Sequence, residues 1–216
     1  FDPRGVSQTK VDVAACRGVF EGARVAHFHL DDWSRRLLPL AAQAGVLISC
    51  DLQDLSDVDD AYRAEFVVAA DVLFMSGAHL ADPTAAAREL ASRRDGRLVV
   101  VGAGADGCLV ALDDEIERYP AVELPGYPVV DTNGAGDNLA VGFLVAHYLD
   151  RVPLAQAVWR AQVAARWICS QHGDEKHPLT RERLVQLARS ADRPGVAGLF
   201  VSEDEDLHGA GIASGR

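Results

Sequence analysis

The most chemically suggestive stretch of the sequence is a turn that combines two acids with three small residues. Val129 and Val130 precede residues 131–137 (DTNGAGD), and an apolar-faced stretch typical of a helix follows. Small residues at 134–136 let a ligand approach backbone N–H groups that have no partner at a helix start and attract anions. Asp137 stands beside them and can take a proton from a hydroxyl that attacks phosphorus. The pattern indicates phosphoryl transfer.

A simpler interpretation of the same stretch is a tight turn followed by an acid that stabilises the helix dipole. Taken alone, a glycine-rich turn does not separate these two interpretations. The pair of acids that flanks the glycines, Asp131 and Asp137, favours the functional one.

Composition narrows the class of protein. The 216 residues carry a net charge of −11, from 21 Lys and Arg against 32 Asp and Glu, which does not suit a duplex nucleic-acid partner. No stretch approaches the roughly 18 apolar residues of a membrane-spanning helix. The cysteines show no metal-site spacing and predict reduced thiols in the cytoplasm: Cys16, Cys50, Cys108 and Cys169. The sequence begins at Phe1 and its only methionine is Met75, so we expect the natural start upstream.

Short apolar runs alternate with longer amphipathic ones along the chain. We predict strands at 24–30, 46–49, 72–75, 98–101, 108–112 and 115–119, and helices at 34–44, 57–69, 83–94, 135–149, 154–171 and 181–190. The last two strands lack a helix between them and predict an antiparallel hairpin at a sheet edge. The rest predicts a three-layer α/β/α fold with a mostly parallel, Rossmann-like sheet. One domain is expected over 1–200, with a flexible tail at 201–216.

Residues 131–143 (DTNGAGDNLAVGF) resemble the second signature of the ribokinase-like (PfkB) carbohydrate kinases. The resemblance implies a ribokinase-like fold, ATP and Mg²⁺ as cofactors, and a sugar or nucleoside as the acceptor. It implies that Asp137 is the catalytic base and that Gly134, Ala135 and Gly136 form the anion hole.

Some members of that family need a monovalent cation such as K⁺. The resemblance implies that the position of Asp131 and the backbone at Asn133 help to bind it.

Two further segments resemble the nucleotide site of the family. Residues 99–108 (VVVGAGADGC) resemble a strand that ends in a G-x-x-G turn, which assigns Gly104, Asp106 and Gly107 to nucleotide binding. Residues 161–165 resemble the small-residue helix beside the adenine, with Gln162 where an Asn is often found. Taken alone, the first segment is a plain hairpin turn and the second a closely packed helix face.

The sequence departs from the family pattern at two places. Residues 76–79 (SGAH) stand where an Asn-x-x-Glu motif commonly supports Mg²⁺ and phosphate, so Ser76 and His79 replace both groups. An imidazole does not substitute for a carboxylate near Mg²⁺. Asp51-Leu52-Gln53 stands where Asp-x-Asn is frequent. These departures support a second hypothesis, a non-catalytic nucleotide- or sugar-binding regulatory protein with the same fold.

The opening residues, 1–5 (FDPRG) with Thr9, resemble the lid region of the family, some way into a typical member. The resemblance therefore covers about the last two-thirds of a member. The earlier part supplies most of the contacts to the sugar, so the acceptor is left open. Family dimers often pair through the lid, so a homodimer is left open as well.

His27, His29 and Asp31 alternate along a predicted strand and share one of its faces. This spacing suits a metal ion and defines a third, weaker hypothesis, a metal-dependent hydrolase. The favoured interpretation is that the end of this strand faces the substrate cleft, where His29 and Asp31 contact the acceptor.

Overall fold

The structure, a computed structural model, describes residues 11–173, 176–177 and 179–191. The lid-like segment, residues 1–5 with Thr9, and the tail expected at 201–216 lie outside these residues.

Six strands form one sheet in the part of the chain that the structure describes. Their order in the sheet follows the sequence, with β1–β4 parallel and β5 and β6 antiparallel to their neighbours. The predicted hairpin at the sheet edge is confirmed to the residue. The strands are β1 (Val25–Phe28), β2 (Leu47–Asp54), β3 (Val72–Ser76), β4 (Leu98–Gly102), β5 (Cys108–Leu112) and β6 (Glu115–Tyr119).

Helices connect the parallel strands and continue the chain after the hairpin. They are α1 (Arg17–Phe20), α2 (Asp32–Arg35), α3 (Leu38–Gln43), α4 (Ala64–Ala69), α5 (Pro83–Ser92), α6 (Ala135–Leu144), α7 (Leu154–Ile168) and α8 (Arg181–Ser190). A single 3₁₀ turn covers Gly104–Asp106, and a π-helical turn, Val145–Leu149, extends α6.

Two predicted helices differ from the structure in where they begin or in continuity. The helix predicted at 57–69 begins only at Ala64, because the carboxylates of Asp57 and Asp60 accept the N–H groups of residues 59 and 62 and close turns instead. The helix predicted at 34–44 is split into α2 and α3. Pro39 stands in the first turn of α3, and proline has no N–H to continue a preceding helix.

The strand predicted at 46–49 extends to Asp54, whereas that predicted at 24–30 is confined to Val25–Phe28. The helix predicted at 135–149 is α-helical only as far as Leu144. The helix predicted at 154–171 ends at Ile168.

The sheet is covered on both faces, as the three-layer prediction requires. Leu73 and Met75 of β3 belong to a core with α3, α4 and α5. Val72 and Phe74, which alternate with them, belong to a second core with α6 and α7. A smaller cluster joins α7 to α8. No helix among the described residues is long and apolar enough to cross a membrane.

Helices α6 and α7 approach each other closely at Gly142. A Cβ atom there would lie 3.1 Å from Ala161 Cα and 3.1 Å from Ala164 Cβ. Because only the smallest residues stand at this crossing, the two backbones are in near contact.

Candidate active site

Helix α6 begins at the small-residue turn. Gly134 is its N-cap residue, with φ +80° in the left-handed region that favours glycine. The N–H of Ala135 donates to Thr132 O at 3.1 Å. The side-chain amide of Asn138 donates to Gly134 O at 2.9 Å. These bonds fix the direction in which the first helical N–H groups point.

Gly136 is not required by the fold. A Cβ atom built there would have no heavy atom of the described residues within 4 Å, and the residue lies within α6. Its missing side chain therefore leaves open space in front of the helix start, where N–H groups have no intrahelical acceptor. An anion can approach the backbone at this point.

Three side chains from separate elements meet beside this turn. Asp137 lies in the first turn of α6, His29 follows β1, and Asp51 belongs to β2. His29 Nε2 lies 3.8 Å from Asp137 Oδ1, with the side chains 44% and 58% exposed. One ligand atom from each of the three residues lies within 4.8 Å of the other two. The turn thus opens onto a cluster at the carboxyl edge of the parallel strands, where such sheets bind ligands.

Burial controls the protonation of two groups in this region. Burial raises the pKa of Asp51, although its Oδ1 accepts the N–H of Gln53 at 2.8 Å. Burial, followed by the neighbouring His29, lowers the pKa of His27 to about 4. His27 Nδ1 lies 3.0 Å from Ser49 Oγ. His27 is therefore uncharged at neutral pH and acts as a packing residue. Burial disfavours the ionised form of the Asp51 carboxyl group.

The structure does not group His27, His29 and Asp31, the residues whose spacing in the sequence suits a metal ion. Among the described residues, the only group of three or more His, Cys, Asp or Glu side chains close enough to share an ion is His29, Asp51 and Asp137. Asp31 instead precedes α2 as its N-cap residue. This corrects the grouping of His27, His29 and Asp31. Two carboxylates and an imidazole form a donor set that can hold a divalent cation, and the carboxylate oxygens suit Mg²⁺.

Asp51 was named from the sequence only within the segment that departs from the Asp-x-Asn pattern, and it was not assigned to the site. The available signal was its place directly after a predicted parallel strand, because the carboxyl ends of parallel strands meet at one edge. The segment 76–79, which departs from the Asn-x-x-Glu pattern, follows on the neighbouring strand. Ser76 ends β3 and its Oγ accepts the N–H of Ala78 at 3.2 Å, while His79 is exposed.

The turn assigned to the nucleotide follows β4 at the same edge. Ala103 N–H donates to Gly107 O at 2.8 Å. Gly107 has φ +92°, and a Cβ atom there would lie 2.1 Å from Tyr119 O, so only glycine fits. Asp106 is exposed, and Gln162 on α7 is 7% exposed. The fold itself explains Gly107, and the nucleotide roles of Gly104, Asp106, Gly107 and Gln162 stay predictions.

The strand order places the cluster of His29, Asp51 and Asp137 and the glycine turn at different positions along the carboxyl edge of the sheet. His29 follows β1, Asp51 lies within the second half of β2, Ser76 ends β3, and the glycine turn follows β4. Because neighbouring strands are about 4.8 Å apart, the axes of β1 and β4 are separated by about 14 Å.

Asp131 is held by the chain on both of its oxygens. Oδ1 accepts the N–H of Asn133 at 2.9 Å, and Oδ2 lies 3.1 Å from the ammonium of Lys176. Lys176 also donates to the carbonyl oxygen of Asn133. The Asn133 N–H and the Lys176 ammonium lower the pKa of Asp131. No sequence pattern singled out Lys176.

The fold is similar to solved structures of ribokinase-like kinases. A microbiome-derived acarbose kinase, Mak1, is 33% identical, covers 87% of this chain and 63% of its own, and has a TM-score of 0.79. A ribokinase-like structure from Agrobacterium tumefaciens, assigned as a ribokinase, is 19% identical over 88% of this chain and 62% of its own, with a TM-score of 0.71, and shows the same fold. The expected fold class is confirmed.

The family model of pfkB family carbohydrate kinases matches residues 53–181, and the chain belongs to this family. Acarbose 7(IV)-phosphotransferase from Actinoplanes sp. is 37% identical over 139 residues, which are 62% of this chain and 46% of that protein. Adenosine kinase from Schizosaccharomyces pombe is 41% identical over 58 residues, 27% of this chain and 17% of that protein. The chain spans about half the length of the first of these relatives.

Proposed function

We propose that the protein to which this chain belongs transfers the γ-phosphoryl group of ATP to a hydroxyl of a sugar-like small molecule, with Asp137 as the base. The observation that carries the proposal is the meeting of Asp137 with His29 and Asp51 directly beside the open helix start at Gly136. A site for a migrating anion and a carboxylate for the acceptor hydroxyl stand side by side.

The reaction needs one proton acceptor and one anion site. The acceptor hydroxyl gives its proton to Asp137 while its oxygen forms a bond to the γ-phosphorus, and the bond from that phosphorus to the bridging oxygen of ADP breaks. The N–H groups that follow Gly134 stabilise the negative charge on the transferred group. Asp137 is half-exposed, so an acceptor can reach it.

Mg²⁺ supplies charge neutralisation on the nucleotide phosphates when it is bound. We assign Asp51 to hold it, since Asp51 is the second carboxylate in the group that contains Asp137, and the proton transfer does not use it.

The acceptor is assigned from chemistry and relatives together. A half-exposed imidazole beside a carboxylate suits a molecule rich in hydroxyl groups, and we assign His29 and Asp31 to acceptor contacts. Two similar proteins are named for acarbose, which makes acarbose and related oligosaccharides the first acceptors to test. Adenosine is the second, because of the shorter match to an adenosine kinase.

The test uses the full-length protein with ATP, Mg²⁺ and this acceptor panel. Asp137→Asn should lower kcat by about 10²- to 10⁴-fold and leave ATP binding, measured by calorimetry, unchanged. Asp114→Asn, in the exposed turn between β5 and β6, is the matched control and should retain full activity. Near-normal turnover of Asp137→Asn would remove the assigned base.

The departures at Ser76 and His79 support the rival function, a non-catalytic binding protein. This rival predicts that the wild-type protein binds nucleotide or sugar but consumes no ATP with any acceptor in the panel. Turnover above background with a single acceptor eliminates it.

A further inference from the structure

The ammonium of Lys176 is enclosed by the turn that leads into α6. Its Nζ lies 3.1 Å from Asp131 Oδ2 and also donates to the carbonyl oxygen of Asn133. The Lys176 side chain is only 17% exposed and that of Asp131 22%, unusually low for a lysine ion pair. A charged group that gives up this much water is held by specific contacts rather than by a loose surface attraction.

The start of the turn that contacts Lys176 also contacts the end of α7 and the segment that follows it. The N–H groups of Val130 and Asp131 both donate to Cys169 O, at 2.8 and 3.1 Å. A Cβ atom on Gly173 would lie 3.3 Å from Asp131 Oδ2, so the segment after α7 packs directly against this carboxylate. One carboxylate and one carbonyl oxygen therefore converge on a single positive charge.

The same turn controls the anion site. Thr132 O accepts the N–H of Ala135, so a shift of residues 131–133 would move the first N–H groups of α6. The position of the positive charge is thereby coupled to the N–H groups that face the transferred phosphoryl group.

The family resemblance led us to expect a monovalent cation at the Asp131 carboxylate and the Asn133 backbone. In this chain the Asp131 carboxylate pairs with the Lys176 ammonium, and the Asn133 carbonyl oxygen accepts a hydrogen bond from it. A K⁺ ion at this place would have to displace a covalently tethered cation of the same charge. The residues present do not fit a K⁺ site.

We infer that Lys176 is a built-in cation: its ammonium replaces a monovalent metal ion at the Asp131–Asn133 turn and positions the anion hole without added K⁺. Lys176 is a positioning residue, since it acts through the turn. This role rests on the proposed function for its effect on turnover, but the occupancy of the turn is independent of the reaction.

The experiment compares the full-length wild type with Lys176→Met in tetramethylammonium chloride and in KCl of equal ionic strength. Thermal unfolding and kcat are measured in both salts. Wild-type Tm and kcat should be the same in the two salts. Lys176→Met should have a lower Tm and a kcat reduced about tenfold in tetramethylammonium, with partial recovery of both in KCl.

Arg181→Met is the matched control, because the Arg181 guanidinium pairs with Asp150 at 2.8 Å and not with the turn. It should show no difference between the salts. Lys176→Arg, which keeps the charge, should retain more activity than Lys176→Met without KCl.

Activation of the wild type by K⁺ would overturn the inference, and so would a Lys176→Met variant whose Tm does not respond to K⁺. The wild-type comparison decides the matter even if Lys176→Met fails to fold. If no phosphoryl transfer is found with any acceptor, the proposed function fails. The response of Tm to K⁺ still tests the role of Lys176.

Discussion

His29 Nε2 lies 3.8 Å from Asp137 Oδ1, although His29 follows strand β1 and Asp137 lies in the first turn of helix α6, more than 100 residues later. A hydroxyl that gives its proton to Asp137 would therefore also lie within reach of this imidazole. The pair defines the acceptor side of the proposed site, because the glycine turn follows β4, whose axis is about 14 Å from that of β1.

Replacement of His29 should affect the acceptor more than the nucleotide. We expect His29→Ala to raise the KM for the acceptor about tenfold, the loss of roughly one hydrogen bond, with little change in the KM for ATP. His29→Gln retains a donor and should recover part of the loss. Steady-state kinetics with each substrate varied in turn measures the split, and an equal rise in both KM values would contradict the assignment.

Asp51→Asn should separate stability from activity. The pKa of Asp51 is raised by burial, so the carboxylate destabilises the fold as the pH rises through its raised pKa. The asparagine avoids this cost, and we expect about 1 kcal/mol more stability at pH 8, with the gain absent below pH about 4. Urea unfolding at several pH values measures it.

The same variant should bind Mg²⁺ more weakly. Loss of a carboxylate ligand should raise the Mg²⁺ concentration for half-maximal activity by about tenfold or more. Asp114→Asn again serves as the control. An unchanged Mg²⁺ requirement would show that Asp51 does not hold the ion.

Gly136→Ala should keep the fold and impair the chemistry. The helical backbone at Gly136 accepts an alanine, and no described heavy atom would touch its Cβ, so stability should rise by about 0.5–1 kcal/mol. The added methyl group fills the space before the helix start, and kcat should fall at least about tenfold. Gly134→Ala is the contrasting variant: its φ of +80° should cost about 1 kcal/mol. Full activity of Gly136→Ala would place the transferred group elsewhere.

His27 should make the fold sensitive to acid. Its pKa is about 4 in the folded chain against 6.5 for the unperturbed side chain, so the unfolded state binds the proton more readily. Stability should therefore fall as the pH drops from about 6.5 to about 4, by up to about 3 kcal/mol from this group. Asp51 acts in the opposite direction at the acid end. The difference between wild type and His27→Gln in unfolding experiments isolates the His27 contribution, and identical pH profiles would refute it.

Local patterns predicted the elements that local chemistry specifies. The hairpin Cys108–Leu112 with Glu115–Tyr119 and helix α8 were predicted to the residue, because alternation and end signals lie within each segment. The acids at residues 57–60 led to a predicted helix start where the structure has turns. Acidic side chains can either begin a helix or close a turn, and the tertiary surroundings select between the two.

The sequence predicted the contiguous turn of the site and, at the end of a predicted strand, His29. The turn at 131–137 was found from its residue types and spacing. Asp51 and Lys176 reach that turn from a neighbouring strand and from the segment after α7. Their contacts depend on strand order and on how α7 ends. No local pattern encodes these distances.

The near contact of α6 and α7 at Gly142 has a consequence for motion. With Ala161 Cα only 3.1 Å from the place where a side chain would begin, these two helices cannot slide past one another without collision. We therefore expect the segment that bears Asp137 and the segment that bears Gln162 to move together. A hinge that serves the proposed reaction would then bend outside these two helices.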